Sequence, residues 1–300
     1  MRHFLAVDDL SADELADVLD RAEREPADLR RPLDGKGVAL YFAKPSLRTR
    51  HSSEMAVVQL GGHPVTMKRD EIEPGAREPW RDIAHVLAGY HAAMGARVFE
   101  HADVEALAEP DALPIVNLLS DGSHPCQALA DLLTMRQQLG GLAGRTVCYV
   151  GDFNNVGRSL SIGAAMSGMT VRLACPSGFG PSELDLDRLA ALGCVPFVTT
   201  YPEEAAKDAD AVHTDVWTSM GFEAESERRS RAFEGFQVDD RVMDAADPNA
   251  IFMHCLPVHR GEEASASVVD GPHSRIYEQA HNRMHSFRGL LSWLVEVNQR

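Results

Sequence analysis

Ser46-Leu47-Arg48-Thr49-Arg50 places two hydroxyls and two guanidinium groups in one short run. Planar guanidinium forks match phosphate oxygens, and hydroxyls add further hydrogen bonds to the same group. The run follows an apolar stretch, Gly37 to Phe42, and precedes a helical pattern, Glu54 to Leu60. It therefore lies beyond the C-terminal end of a strand, where α/β proteins bind ligands and where the first amides of a helix attract anions. A capped helix with two solvated arginines accounts for the same residues, and on this run alone both readings stand.

Three other segments carry chemistry-bearing side chains. His124-Pro125-Cys126-Gln127 combines an imidazole, able to donate to a carbonyl oxygen, with an amide able to read both an NH2 and an oxygen. A His-Pro turn at a helix start is the plainer alternative. Asp215-Val216-Trp217-Thr218-Ser219-Met220-Gly221 begins with a carboxylate beyond the strand Ala211 to Thr214, suited to an ammonium group. Phe252-Met253-His254-Cys255-Leu256-Pro257-Val258-His259-Arg260-Gly261 ends a buried strand and then gives a thiol, a Pro-stopped turn and a His-Arg-Gly run. Cys255 taken alone is a small buried hydrophobe. Gly151-Asp152-Phe153-Asn154-Asn155-Val156-Gly157 also joins a strand to a helix, but its glycines do not have the G-x-G-x-x-G spacing of a dinucleotide loop.

The elements that must position these residues alternate along the chain. Strands are predicted at 37–42, 63–67, 96–99, 114–118, 146–150, 170–174, 195–198, 211–214 and 251–254. The seventh contains Pro196 and reads as an edge strand. Helices are predicted at 54–60, 81–90, 126–139, 156–166, 184–192, 203–207, 228–233 and 278–297, with Ser11 and Glu14 marking a further helix start. Strand–helix alternation on both sides of Gly140-Gly141 predicts an α/β chain with two similar-sized domains, each a parallel sheet flanked by helices, linked by helices. The expected boundaries are 1–139 and 140–282, with a C-terminal helix from about 283 packing back on the first domain.

Bulk composition fits this reading. At 300 residues and 44% apolar content the chain can build two cores. A net charge of −16 argues against a nucleic-acid partner, although a local arginine cluster can still gather a small anion. The five cysteines, Cys126, Cys148, Cys175, Cys194 and Cys255, include no C-x-x-C pair, which points to a reducing compartment rather than a disulfide framework or a zinc site. The N-terminus turns acidic at Asp8-Asp9 before any signal-peptide core, and no uncharged apolar run reaches ~18 residues. The expected setting is the cytoplasm, with no membrane span.

Taken together and in order, these segments resemble the aspartate/ornithine carbamoyltransferase family over nearly the whole chain. The D-x-x-x-S-M-G run and the H-C-L-P run resemble its ornithine-using members. The resemblance implies transfer of the carbamoyl group of carbamoyl phosphate to the δ-amine of L-ornithine, giving L-citrulline and phosphate. It implies no metal and no organic cofactor, and a homotrimer or a multiple of one. Carried over by position, Ser46, Leu47 (through its backbone amide), Arg48 and Thr49 hold the phosphate, with Arg50 structural. Arg97 touches phosphate and carbonyl, His124 and Arg283 reach the carbamoyl oxygen, and Gln127 and the Leu256 carbonyl read the carbamoyl NH2. Cys255 lies beside the attacking amine, while Asn155, Asp215, Ser219 and Met220 hold ornithine. The catalytic set so implied is Arg97, His124, Cys255 and Arg283, and domain closure around both substrates is expected. The chain departs from the family pattern at Leu47, Ser53, Phe153 and His281, where threonine, an aromatic, glycine and glutamate are usual. Two alternatives remain open: a carbamoyltransferase for another amine, and a non-catalytic paralogue that binds carbamoyl phosphate.

Overall fold

The computed structural model describes residues 1–75, 77–218 and 226–299. The chain forms two compact units, Met1–Leu133 with His281–Arg300, and Thr134–Ala280. Two helices, Pro125–Leu139 and Ile276–Gln299, carry the chain from one unit into the other.

The first unit holds a parallel sheet of β1 (Gly37–Phe42), β2 (His63–Lys68), β3 (His91–Arg97) and β4 (Ile115–Leu119), in the order β2-β1-β3-β4. β1 is a continuous apolar run because it is covered on both faces, and β2, at the edge, is only half-buried. On one face Trp80, Ile83 and Ala84 pack with Tyr41, Met94 and Val104, and the Tyr41 and Trp80 rings meet edge-to-face at 5.3 Å. β3 starts at His91, earlier than its Ala- and Gly-rich sequence suggested. Small residues have weak strand preference, but the sheet requires one here: a Cβ on Gly95 would lie 3.1 Å from Leu118 and Leu40 methyls.

One helix boundary differs in a way that bears on function. The helix expected from Glu54 starts at Leu47. The Ser46 hydroxyl accepts from the Thr49 amide at 3.3 Å, so residues 47–50 form the first helical turn rather than a preceding loop. The polar run His51-Ser52-Ser53 hides that turn from any reading based on apolar spacing.

The second unit holds β5 (Thr146–Val150), β6 (Thr170–Ala174), β7 (Phe197–Thr199), β8 (Ala211–Thr214) and β9 (Ile251–His254), all parallel in the order β7-β6-β5-β8-β9. β7 starts after Pro196 and lies at the edge, as the proline requires. Val212, Phe252, Phe233 and Phe236 centre its core. The sequence reading did not foresee Asp240–Ala245, a short helix started by Asp239, whose carboxylate accepts from the Arg241 and Val242 amides. In each unit the strands run one way, so their C-terminal ends share an edge, and the loops from that edge carry the residues of interest.

Candidate active site

In the first unit four separate segments bring side chains to one cluster. Arg97 is the last residue of β3, His124 follows β4 and directly precedes the helix Pro125–Leu139, and Thr49 lies in the first turn of Leu47–Gln59. Arg283 comes from the C-terminal helix Ile276–Gln299. All four side chains are buried, as is Gln127. Arg283 Nη2 donates to Thr49 Oγ1 at 2.9 Å, and Arg97 Nη1 donates to the same oxygen at 3.4 Å. Arg283 Nη1 also donates to Gln127 Oε1, and Gln127 Nε2 donates to Asp131 Oδ1 at 2.8 Å, which fixes the orientation of the amide.

His124 Nε2 lies 3.4 Å from Arg283 Nη1. A guanidinium only donates, so this nitrogen accepts. Burial, and then the charges of Arg283, Arg97 and Lys44, hold the His124 pKa well below the usual imidazole range. The ring is therefore neutral at pH 7. Lys44 is half-buried with its ammonium 4.8 Å from the Phe99 ring centre, and burial followed by Arg97 lowers its pKa.

Around this cluster the other residues of the Ser46 segment separate. Arg48 is half-buried and makes no hydrogen bond or ion pair among the described residues. Arg50 is committed to Glu54 at 2.9 Å, consistent with a structural role. Leu47 is 71% exposed, so its side chain adds nothing to the buried cluster. A cavity of about 720 Å³ lies against the segment, lined by Lys44, Ser46, Leu47, Arg50, Lys68 and Arg69 among others. Arg97, His124 and Arg283 do not line it, so the cluster and this cavity are different places. Ser53, where the family pattern has an aromatic, is fully buried, and His281 is exposed.

In the second unit Asp215 follows β8 and is buried. Asn154 Nδ2 donates to its Oδ2 at 2.9 Å, and the Cys255 thiol donates to its Oδ1 at 3.0 Å. Cys255 and Leu256 follow β9, and Leu256 has a left-handed backbone, φ 60°. Asn155 is the half-buried first residue of the helix Asn155–Met166. Ser219 and Met220 lie outside the described residues. Tyr149 reaches Asn154 Oδ1 at 3.4 Å, and burial, reinforced by Asp215, raises its phenol well above the ordinary range.

Sequence reasoning passed over Asn154. Its Oδ1 accepts from the Val156 and Gly157 amides at 2.9 and 3.2 Å, while its NH2 orients Asp215. An Asn directly before a helix was the available signal. This arrangement also occupies the helix start that a dinucleotide phosphate would need. Glu263 and Gln279, both wholly buried, were missed too, because nothing in local spacing marks a polar residue as interior. Among the described residues, His259, Glu262 and Glu263 have ligand-type atoms within 4.8 Å of one another. Glu263 Oε1, however, already accepts from His254 Nε2 and the His259 amide. No helix among the described residues is long and apolar enough to cross a membrane.

Two parallel α/β units, one presenting converging guanidinium groups and the other a buried carboxylate beside a thiol, define the architecture of a two-substrate group-transfer enzyme. The carbamoyl-P binding domain of aspartate/ornithine carbamoyltransferase matches residues 2–137, and the Asp/Orn binding domain of the same family matches residues 143–294. The chain belongs to the aspartate/ornithine carbamoyltransferase family. It is 48% identical over 304 residues to the ornithine carbamoyltransferase of Acidothermus cellulolyticus, covering 99% of this chain and 97% of that one. Its fold matches the ornithine carbamoyltransferase of Pyrococcus furiosus with a TM-score of 0.92 at 41% identity, over 97% of this chain and 96% of the other. It matches the anabolic ornithine carbamoyltransferase of Campylobacter jejuni with a TM-score of 0.93 at 33% identity, over the full length of both chains.

Proposed function

We propose that this chain transfers the carbamoyl group of carbamoyl phosphate to the δ-amine of L-ornithine, giving L-citrulline and phosphate. The observation that carries the reading is the convergence of the Arg97 and Arg283 guanidinium groups on the Thr49 hydroxyl, beside neutral His124. Such a cluster suits an anionic, carbonyl-bearing substrate.

In this reading Ser46, the Leu47 amide, Arg48 and Thr49 hold the phosphate, and Arg97 bridges phosphate and carbonyl. The neutral δ-amine attacks the carbonyl carbon, the C=O electrons move onto oxygen, and Arg97, Thr49, His124 and Arg283 stabilise the resulting oxyanion. Collapse breaks the bond from carbon to the phosphate oxygen and expels phosphate into the charges of the Ser46 segment, and the departing phosphate takes the proton that the nitrogen gives up. Gln127 and the Leu256 carbonyl hold the carbamoyl NH2, and Cys255 lies beside the attacking amine. Asn155, Asp215, Ser219 and Met220 take the amino-acid end of ornithine. The reaction as written uses no metal or organic cofactor. Residues 1–139, with the helix from about 283, form the carbamoyl-phosphate half. Residues 140–282 form the ornithine half.

The setting we assign is the cytoplasm and arginine metabolism, which the five free cysteines suit. The assembly we assign is a homotrimer or a multiple of it. Exposed apolar side chains of the first unit, Met55, Val58, Val86 and Tyr90, provide material for such contacts.

The test is a carbamoylation assay with ornithine, putrescine, lysine, N-acetylornithine and aspartate in competition, identifying each carbamoyl product. Citrulline should dominate. A different major product would assign another acceptor, and no product at all would leave only carbamoyl phosphate binding.

A further inference from the structure

We propose that Glu263 is a positioning residue for the Cys255-Leu256 turn, acting through His254. The inference rests on the function proposed above, because it concerns how that turn is held for the reaction. Glu263 is fully buried, and its Oε1 accepts two hydrogen bonds: from His254 Nε2 at 3.1 Å and from the His259 backbone N–H at 2.7 Å. His254 is itself fully buried as the last residue of β9, and its backbone N–H donates to Gln279 Oε1 at 2.8 Å.

The carboxylate selects one state of the imidazole. An acceptor facing Nε2 requires the proton there, which leaves Nδ1 with a lone pair. That lone pair accepts from the Leu256 N–H at 2.8 Å. The opposite tautomer would set a lone pair against the Glu263 oxygen and an N–H against the Leu256 N–H. Two hydrogen bonds would then be lost inside a buried site.

Leu256 is where this matters. Its φ of 60° is the left-handed conformation that a leucine rarely adopts, and such a residue persists only when its surroundings over-determine it. The His254 ring supplies one such restraint, on the amide that joins Cys255 to Leu256. The Glu263 bond to the His259 amide holds the far side of the same segment, so one carboxylate clamps 254 and 259 together. The element so clamped carries the Cys255 thiol that meets Asp215 Oδ1 at 3.0 Å, and it sets the direction of the Leu256 carbonyl. Burial alone would raise the Glu263 carboxyl, but the His254 and His259 bonds outweigh it and hold the group below its ordinary range, as a standing acceptor must be. The same logic orients histidines that ligate metals through carboxylates behind them, here applied to a backbone amide.

The test compares Glu263→Gln with Glu263→Leu. Glutamine can still accept from both donors, so it should keep kcat within about threefold of the wild type. Leucine fills the space without accepting, and kcat for citrulline formation should fall about 30-fold or more, with KM for carbamoyl phosphate within about twofold and the thermal midpoint of Glu263→Gln unchanged; these sizes correspond to one or two lost hydrogen bonds. A purely structural role would instead lower the folded fraction of both variants without separating kcat from KM. Glu263→Leu retaining wild-type kcat would overturn the proposal. If that variant does not fold, the wild type decides through nitrogen-15 NMR of labelled histidines, with His254 identified by the signal missing from His254→Gln. His254 protonated on Nε2 supports the proposal, and His254 protonated on Nδ1 overturns it. The NMR reading needs no turnover, so failure of the activity assignment and failure of the positioning assignment are separate results.

Discussion

The Cys255 thiol donates to Asp215 Oδ1 at 3.0 Å, so the sulfur of the H-C-L-P run acts in this structure as a hydrogen-bond donor. A thiol spent on a carboxylate holds Asp215 in place, and nucleophilic catalysis would need the thiolate instead. Quenching the wild type during turnover and mapping its peptides by mass spectrometry should find no carbamoyl group on Cys255. Cys255→Ser keeps a donor and should keep activity better than Cys255→Ala. The alanine variant should lose about 10- to 100-fold in kcat/KM for ornithine, the size of one hydrogen bond to a charged group.

His124 gives a prediction about pH. Its pKa in the folded chain is depressed by burial and by Arg283, Arg97 and Lys44, so the unfolded chain binds the proton more readily. Stability therefore rises with pH up to the unfolded value of about 6.5 and is lost as pH falls below it. The loss from this one group is at most about 1.4 kcal/mol per pH unit, and it ends once the pH passes below the folded pKa. Denaturant titrations at several pH values between about 5 and 7 should show that His124→Gln loses less stability on acidification than the wild type does. Activity, by contrast, should rise from about pH 6 to 8.5 as an acceptor amine of pKa about 10 gives up its proton.

Arg48 is the guanidinium of the Ser46 segment that makes no hydrogen bond or ion pair among the described residues. Removing it breaks no hydrogen bond or ion pair among the described residues, so Arg48→Ala should leave the thermal midpoint within about a degree or two. A charge-assisted bond to phosphate contributes ~1.5–3 kcal/mol, so kcat/KM for carbamoyl phosphate should fall by about 10- to 100-fold or more. Arg50→Ala gives the contrast: it breaks a surface pair with Glu54, which contributes ~0.5 kcal/mol, and should leave kinetics near wild type.

The sequence carried most of the fold because parallel strands buried on both faces are continuous apolar runs. β1, β5, β6, β8 and β9 were legible to the residue. β3 was shortened because its Ala and Gly residues signal strand weakly, though Leu40 and Leu118 leave room for nothing larger at Gly95. The start of Leu47–Gln59 was hidden because, after Leu47, its opening turns are a polar run from Arg48 to Ser53, capped by Ser46. Of the candidate site, the segment order was legible and the buried supports were not. Asn154, Glu263 and Gln279 act through partners 61, 9 and 25 residues away, and local spacing cannot show such pairings.

Acceptor choice follows from how Asp215 is held. Both of its carboxylate oxygens are already oriented, one by Asn154 and one by Cys255, and the group is buried after β8. A preoriented buried carboxylate is suited to an ammonium brought by the substrate, and in the proposed reading that is the α-amino end of ornithine. Putrescine carries the same reacting amine without an α-carboxylate, so polar groups arranged for the amino-acid head would be left unpaired. Discrimination of ~10²-fold or more in kcat/KM for ornithine over putrescine is expected. Asp215→Ala should raise KM for ornithine by about 10- to 100-fold and change carbamoyl phosphate binding much less. Asn154→Ala should move in the same direction by a smaller factor, because it removes the orienting donor and leaves the charge. Steady-state kinetics of the three proteins with both acceptors, together with calorimetric titration of carbamoyl phosphate, reads all of these at once. Equal use of putrescine by the wild type would remove ornithine as the acceptor, and loss of carbamoyl phosphate binding in Asp215→Ala would move that residue to the other substrate.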